Sequence, residues 1–359
     1  VANNDGLRVG VVGCGYWGSK HVRVLSGLDA VDQVAIIDSN VNRVSGLVRS
    51  FPAARAYSTL EAALDSVDAV VIATPPTLHV PLAMQAMAAG KHVLVEKPLA
   101  TTSADASLLI GSAEEAGVQL MVGHTFEHNA AVWKLRALVQ SGQLGDLYYL
   151  DTARLNLGLY QSDVNVIFDL APHDVSVLNF VLGAQPDTVH AWGAKHAHRS
   201  YEDVAYLRLC YETLGVCANV HVSWLDPCKV RRVTAVGSRQ MAVYNDLSTD
   251  QPIRVFDKGV ELGLEGDLTQ PPMSYRYGDV VAPYVPANEP LAVQDEHFVS
   301  CIGAGVQPRT DGANGRAVVE VLECAQLSIT QGRTVRLDEV RSSRPAERAS
   351  DATLVPALT

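Results

Sequence analysis

The chain has no Cys-x-x-Cys pair; its six cysteines, Cys14, Cys210, Cys217, Cys228, Cys301 and Cys324, are scattered over 359 residues. That scatter argues against a disulfide framework or a zinc ribbon and suits a reducing cytoplasm. Long apolar runs are missing too. Val9–Val12 and Ala69–Ala73 have strand length and fall far short of a membrane span, so no membrane partner is expected. Residues 1–6 lack the positive start and apolar stretch of a secretory signal, so none is expected. Positive charge is short as well. Against 39 Asp and Glu stand 28 Lys and Arg, a formal net charge of −11 with no block of one sign. Nucleic acid needs a basic footprint and is therefore not an expected partner. An anionic substrate would have to be held by a local basic cluster against the overall field. There is no Ser/His/Asp nucleophile signature, no P-loop, no internal repeat and no low-complexity segment.

What is present is apolar content of 48%, enough for two cores that need no covalent staples. Residues 8 to about 123 alternate two kinds of segment. Leu7–Val12, Val34–Ile37, Ala69–Thr74, His92–Val95 and Gln119–Val122 read as buried strands. Trp17–Leu25, Arg43–Arg49, Thr59–Leu64, Val80–Ala89 and Ala104–Ala116 read as the helices between them. This spacing predicts βαβ units and a doubly wound parallel sheet, an α/β Rossmann domain over residues 1–123.

The pattern then changes. Val132, Leu135, Leu138 and Val139 make one apolar face of a helix over Ala130–Ser141, and another helix is expected around Asp169–Leu182. Alternating runs at Asp146–Ala153, Thr188–Gly193, Ala205–Tyr211, Gly215–Trp224, Arg231–Val236 and Met241–Tyr244 predict an open, mostly antiparallel sheet with one face covered. Residues 245–290, rich in Pro, Gly and charge, read as loops, and helices follow at Pro290–Gly303 and Gly312–Gln331. Residues 124–337 are thus expected to form an α+β domain, and 338–359 a mobile tail.

Gly13-Cys14-Gly15-Tyr16-Trp17-Gly18 follows the first strand directly and opens a helix, which is the context a dinucleotide turn requires. Gly13 allows the tight turn, Gly15 the approach of a diphosphate to backbone, and Gly18 close helix–strand packing. Tyr16 and Trp17 lie within this cofactor-binding turn. Cys14 reads as a small space-filler there. Asp38, at the end of the next strand, can accept from ribose hydroxyls and would repel a 2′-phosphate, so NAD is expected rather than NADP. Arg43 is the one nearby cation that could reach such a phosphate.

Two more strand ends complete the crevice: Ala73-Thr74-Pro75-Pro76 with His79 beyond, and Val95-Glu96-Lys97-Pro98. Thr74, Pro75, His79, Glu96 and Lys97 are counted with the cofactor site. A lysine there can bind a substrate hydroxyl or help take its proton. Further on, Asp169 and His173 share one helix face a turn apart. Pro172 is tolerated only in a first turn, so that helix is expected to start no earlier than about Phe168. His173 can then accept a proton with Asp169 orienting it or stabilising its cation. His190, His196 and His198 suggest a metal, but no carboxylate or cysteine stands at convincing spacing, and none is expected.

The order of G-C-G-Y-W-G, A-T-P-P-x-x-H, E-K-P and D-x-x-x-H resembles the glucose–fructose oxidoreductase / inositol dehydrogenase (Gfo/Idh/MocA) family over residues 8 to about 335. The resemblance implies Lys97 as catalytic lysine, His173 as proton-relay histidine, Asp169 as its companion, and an open sheet that often forms an oligomer interface. Glu127-His128-Asn129-Ala130 departs from the family pattern of Arg or Tyr followed by Asn-Pro; only Asn129 matches. Arg154-Leu155-Asn156-Leu157-Gly158, Asp163–Asp174 and Val222–Pro227 resemble the branch of nucleotide-sugar 3-dehydrogenases. That likeness implies oxidation of C3 of a UDP-sugar to a ketone, a partner aminotransferase, and a place in aminosugar or antibiotic-precursor biosynthesis. Lys97, Asn129, Arg154, Asn156, Asp169 and His173 would then meet the substrate, while Lys229, Arg231 and Arg232 read as a solvated strand edge. Whether His173 or Lys97 takes the proton stays open. So do two other readings: dehydrogenation of another polyol, and a non-catalytic dinucleotide-binding subunit.

Overall fold

The computed structural model describes residues 6–158, 160–161, 163–197, 199–262 and 273–342. Its first sheet is built from β1 (Leu7–Val12), β2 (Val31–Ile37), β3 (Arg55–Tyr57), β4 (Ala69–Ile72), β5 (His92–Glu96) and β6 (Leu120–Gly123). All are parallel, in the order β3-β2-β1-β4-β5-β6. Both faces are covered, which is why β4 is buried at every position and reads Ala-Val-Val-Ile without alternation. The connecting helices are α1 (Tyr16–Leu25), α2 (Val41–Ser50), α3 (Leu60–Ala63), α4 (His79–Ala88) and α5 (Ser103–Ala116). The strand order reverses between β1 and β4, and a crevice opens there beyond the carboxyl ends of the strands.

After a 3-10 turn at Thr125–His128 come α6 (Ala130–Gln140), β7 (Leu147–Leu157) and α7 (Val166–Leu182). A second sheet continues through β8 (Thr188–Ala194), β9 (Val204–Tyr211), β10 (Val216–Ser223), β11 (Leu225–Gly237), β12 (Met241–Asn245), β13 (Ile253–Leu262) and β14 (Met273–Val281). Then follow α8 (Pro290–Ala304), α9 (Gly312–Gln331), β15 (Val335–Arg336) and α10 (Leu337–Ser342). The nine strands run β14-β13-β12-β11-β7-β10-β9-β8-β15, antiparallel except where β10 lies parallel to β7. In β9, Ala205, Leu207 and Leu209 point into a core shared with α6, α7 and α9, while Tyr206 and Arg208 point out. The outward face is bare in the single chain. Among the described residues no helix is long and apolar enough to cross a membrane.

Four expectations need correction. Residues 245–290 are not all loops, because Ile253–Leu262 and Met273–Val281 pair as β13 and β14. Only Ile253 and Val255 of this pair enter the core, so edge strands exposed along most of their length carry no apolar alternation to be read. Residues 263–272 lie outside the described residues. Second, α7 starts at Val166, with the Asn165 side chain accepting from the Ile167 and Phe168 N–H groups, so Pro172 sits inside the helix. A good cap and a buried apolar stripe outweigh the one backbone bond that the proline forgoes. Third, the segment after residue 337 begins as α10, which buries Val340; residues 343–359 lie outside the described ones. Fourth, Cys210 and Cys217 face each other in register across β9 and β10 and form a disulfide, with Cα atoms 4.2 Å apart.

Nor does the second half stay on its own side. Phe298 and Val299 of α8 pack with Val22 and Leu25 of α1. On α9, Val319 joins the other Rossmann layer while Val318, Val321 and Leu322 face the second core. The helix is shared by both.

Candidate active site

The glycine turn meets the steric demands of a dinucleotide. At Gly13 φ is +83°, and a Cβ there would lie 2.7 Å from Thr74 Cγ2 and 2.8 Å from the Ala73 carbonyl oxygen. A Cβ on Gly18 would strike the Gly13 carbonyl. At Gly15 it would meet nothing within 4 Å, so this is the open side on which a diphosphate can approach backbone. No side chain caps α1, leaving its first N–H groups and the positive dipole end for phosphate oxygens. Asp38 accepts from the Cys14 N–H at 2.8 Å and the Asn40 N–H at 2.7 Å, which brings its carboxylate beside the turn. Arg43 Nη1 stands 3.6 Å from the same carboxylate. Burial pushes the Cys14 thiol up to about 12, consistent with an inert space-filler. Tyr16 and Trp17 stay exposed at the rim.

The turn opens into a cavity of about 290 Å³ whose far wall is Phe168 and Asp169 of α7, with Lys97 between. Lys97 Nζ donates to the Asp169 carbonyl at 2.6 Å and to Oδ1 at 3.2 Å. Trp224 Nε1 donates to Oδ2 of the same carboxylate at 2.9 Å. With both oxygens so engaged, Asp169 fixes the lysine and not, as expected, the histidine. His173, one turn further, has a buried Nδ1 without a partner among the described residues, and the Phe126 ring stands edge-on at 5.1 Å. Burial, then Lys97, Arg154 and Arg231, hold its pKa well below that of an ordinary histidine, so the ring is neutral. A neutral imidazole can accept a proton.

The second sheet brings two arginines close enough to His173 to lower its pKa. Arg154 Nε donates to Asp174 Oδ2 at 2.7 Å, and its guanidinium lies 4.5 Å from the Phe126 ring centre. In register beside it on β11 is Arg231, whose Nη1 is 3.1 Å from Asp246 Oδ2. Tyr244 donates to the other Asp246 oxygen, and Asn129 Nδ2 donates to the Tyr244 hydroxyl at 3.1 Å. Asn156 follows Arg154 on the same face of β7, half-buried.

Two family models match the chain: an oxidoreductase family with an NAD-binding Rossmann fold over residues 7–124, and the GFO/IDH/MocA C-terminal domain over residues 132–243. The chain belongs to the Gfo/Idh/MocA family. It is an NAD-dependent oxidoreductase. UDP-N-acetylglucosamine 3-dehydrogenase of Acidithiobacillus ferrooxidans is 30% identical over 317 residues, 87% of this chain and 94% of that one. Its crystal structure superposes with a TM-score of 0.77 at 26% identity, over 91% of this chain and 99% of that one. GenD2 from gentamicin A biosynthesis, solved in complex with NAD, gives 0.78 at 26% identity, over 92% and 96%. D-apiose dehydrogenase of Paraburkholderia graminis is 24% identical over 94% of this chain and 91% of its own.

Within this Gfo/Idh/MocA chain most residues anticipated from sequence converge, and some take other places. His79 lies behind the crevice, fully buried, with its two ring nitrogens 2.9 Å from the carbonyl oxygens of Pro98 and Thr74. It braces the Thr74 and Lys97 turns against each other. Glu96 faces inward as well, 3.0 Å from His21 Nε2, and Asp295 of α8 stands 2.9 Å from Nδ1 of that histidine. Arg231 is half-buried in register with Arg154, while Lys229 and Arg232 stay exposed as a strand edge. His196 bonds Asp203 at 2.8 Å; His198 lies outside the described residues. Sequence reasoning passed over His124, buried at the end of β6 and neutral, its pKa lowered to about 4 by burial. The end of a parallel strand beside β5 was the available signal.

Proposed function

We propose that this enzyme oxidises a sugar hydroxyl, at C3 of a UDP-linked sugar, to a ketone in the cytoplasm, and that an aminotransferase consumes the ketone in aminosugar or antibiotic-precursor biosynthesis. One observation carries the reading: Lys97, anchored on Asp169, lines the crevice into which the glycine turn opens, and one helical turn beyond Asp169 the neutral His173 keeps a buried Nδ1 without a partner among the described residues. Bound NAD supplies the hydride acceptor at the nicotinamide ring. Removing a hydride from a carbinol carbon leaves a hydroxyl proton to be taken, and the neutral His173 imidazole is the group to take it. Lys97 Nζ polarises the same oxygen and stabilises negative charge as it develops. Trp224 keeps the lysine in place by holding the second oxygen of Asp169. Gly13, Gly15, Gly18, Asp38, Thr74 and Pro75 hold the dinucleotide; Asn129, Arg154, Asn156 and Arg231 face the sugar side. The 30% identity to a UDP-N-acetylglucosamine 3-dehydrogenase supports the choice of substrate class. The likeness to D-apiose dehydrogenase supports a second reading, a free polyol. The bare outer face of the large sheet, where Trp192 and Tyr206 are exposed, suits a second copy of the chain.

The test is incubation with NAD and, separately, UDP-glucose, UDP-N-acetylglucosamine, its uronate, glucose 6-phosphate and myo-inositol, with a carbonyl trap. NADH absorbance and the mass of the ketone are followed. Turnover of one UDP-sugar, lost in Lys97→Ala and His173→Ala, is expected. Because the His173 pKa is depressed, kcat/KM should hold its plateau through pH 6.5 and fall only in more acid solution. Turnover of inositol or a sugar phosphate alone would move the assignment to the polyol reading. Tight NADH binding without turnover of any of them would mean a non-catalytic subunit.

A further inference from the structure

The turn that brings Phe126 to the active site also carries Glu127 and His128, both buried, at the point where the chain departs from the family pattern. Glu127 lines a second cavity of about 560 Å³, bounded by α6, the end of α7 and the start of α9. Two arginines share that cavity. The Arg136 guanidinium lies 4.3 Å from the Phe180 ring centre, and that of Arg309 lies 4.5 Å from the Trp133 ring centre. The rings lie against the guanidiniums, and Arg309 Nη1 makes only long contacts, 3.5 Å to the Glu127 carbonyl and 3.5 Å to His128 Nδ1, which leaves N–H groups of both arginines for an acceptor. Among the described residues neither arginine is in an ion pair with a carboxylate.

Glu127 is 1% exposed and accepts from Asn314 Nδ2 at 3.1 and 3.3 Å. Asn314 Oδ1 and Asn179 Nδ2, on two residues lining the same cavity, are buried and without partners. The groups around Glu127 are Asn314, Arg309, Arg136 and Asp311, with burial the strongest influence, and the carboxyl is pushed up to about 7. His128, beside it, is neutral, lowered to about 3 by burial and Arg309. Near neutral pH the cavity therefore holds two cations against a carboxyl that is only partly ionised. In a chain of net charge −11 that is a local reversal of sign.

We propose that this cavity binds a small oxyanion, the phosphate or carboxylate group of a polar metabolite, at a site separate from the cofactor crevice. The guanidinium edges of Arg136 and Arg309 hold the oxyanion, and Asn314 Oδ1 and Asn179 Nδ2 receive a neighbouring hydroxyl. Binding drives a proton onto Glu127, because a second negative charge beside it raises its pKa further. Affinity accordingly rises as pH falls from 8 to 6.

The NAD-saturated full chain is titrated calorimetrically with sulfate, which keeps its charge over this range and stands for phosphate, and separately with malonate for carboxylates. Saturable binding of either anion, with a Kd on the order of 1 mM, is expected at pH 6. Arg136→Gln and Arg309→Gln should each weaken it about tenfold, and either variant decides the matter if the other does not fold. Glu127→Gln should bind with little dependence on pH and take up no proton from the buffer. Sulfate alone would identify a phosphate site, malonate alone a carboxylate site. No saturation by either anion at pH 6, or affinities unchanged in the folded arginine variants, would overturn the proposal.

Discussion

His21 has no solvent contact, and its imidazole lies between Glu96 at the end of β5 and Asp295 of α8. Burial disfavours the charged ring, but the two carboxylates outweigh it and raise its pKa to about 10. An unfolded histidine titrates near about 6.5. A group whose folded pKa is raised contributes its full stabilisation below the unfolded value and loses it as pH climbs through the folded one. The thermal midpoint should therefore fall between pH 7 and 10, and fall less in His21→Gln. At neutral pH that variant should be less stable by about 3–5 kcal/mol, since it leaves two buried carboxylates without their cation. Denaturant melts across this pH range check both statements. At this scale the sequence was legible where neighbours in the chain carry the chemistry, as in Gly13 to Gly18 or Lys97. His21 and Asp295 stand 274 residues apart, and no local pattern announces such a pair. The partner of Asp169 was misjudged for the same reason: helical spacing points it at His173, whereas Lys97 and Trp224 arrive from other elements.

Among the elements, α9 is the one both cores depend on. Gly315 permits its close approach to the Rossmann layer: a Cβ there would lie 2.6 Å from Val122 Cγ2 and 2.9 Å from Leu99 Cδ2. Gly315→Ala should push the helix away and cost about 1–3 kcal/mol, read as a shift in the denaturant midpoint with the slope unchanged. The helix itself was readable from its period and its closing Gly332. Its two-sided burial was not, since apolar residues around most of the circumference give no single face to orient it. β13 and β14 failed to show for the opposite reason. They are mostly exposed, and the charged residues Arg254, Asp257, Lys258, Arg276 and Asp279 look like loop residues until their partners are known.

Over the whole molecule, the alternation of β8 to β12 foretold a sheet with one bare face, and the structure places Trp192, Tyr206, His221 and Tyr149 on it. The Tyr206 and His221 rings stack at 3.9 Å. If that face meets another copy, Trp192→Glu together with Tyr206→Glu should convert an oligomer to a monomer in light scattering while the far-ultraviolet dichroism is retained. A wild-type chain that is already monomeric would remove the interface from the reading. The boundary near residue 123 describes the chain's path better than its packing, because Phe298 and Val299 complete the layer around α1. That layer has a consequence for how the protein is made. A ribosome adding roughly 5–20 residues per second needs some ten to thirty-five seconds to travel from Gly123 to Phe298. For that interval the nucleotide-binding part emerges with the layer around α1 incomplete, and it must wait, guarded or at risk of aggregation, for a helix that has not yet been synthesised.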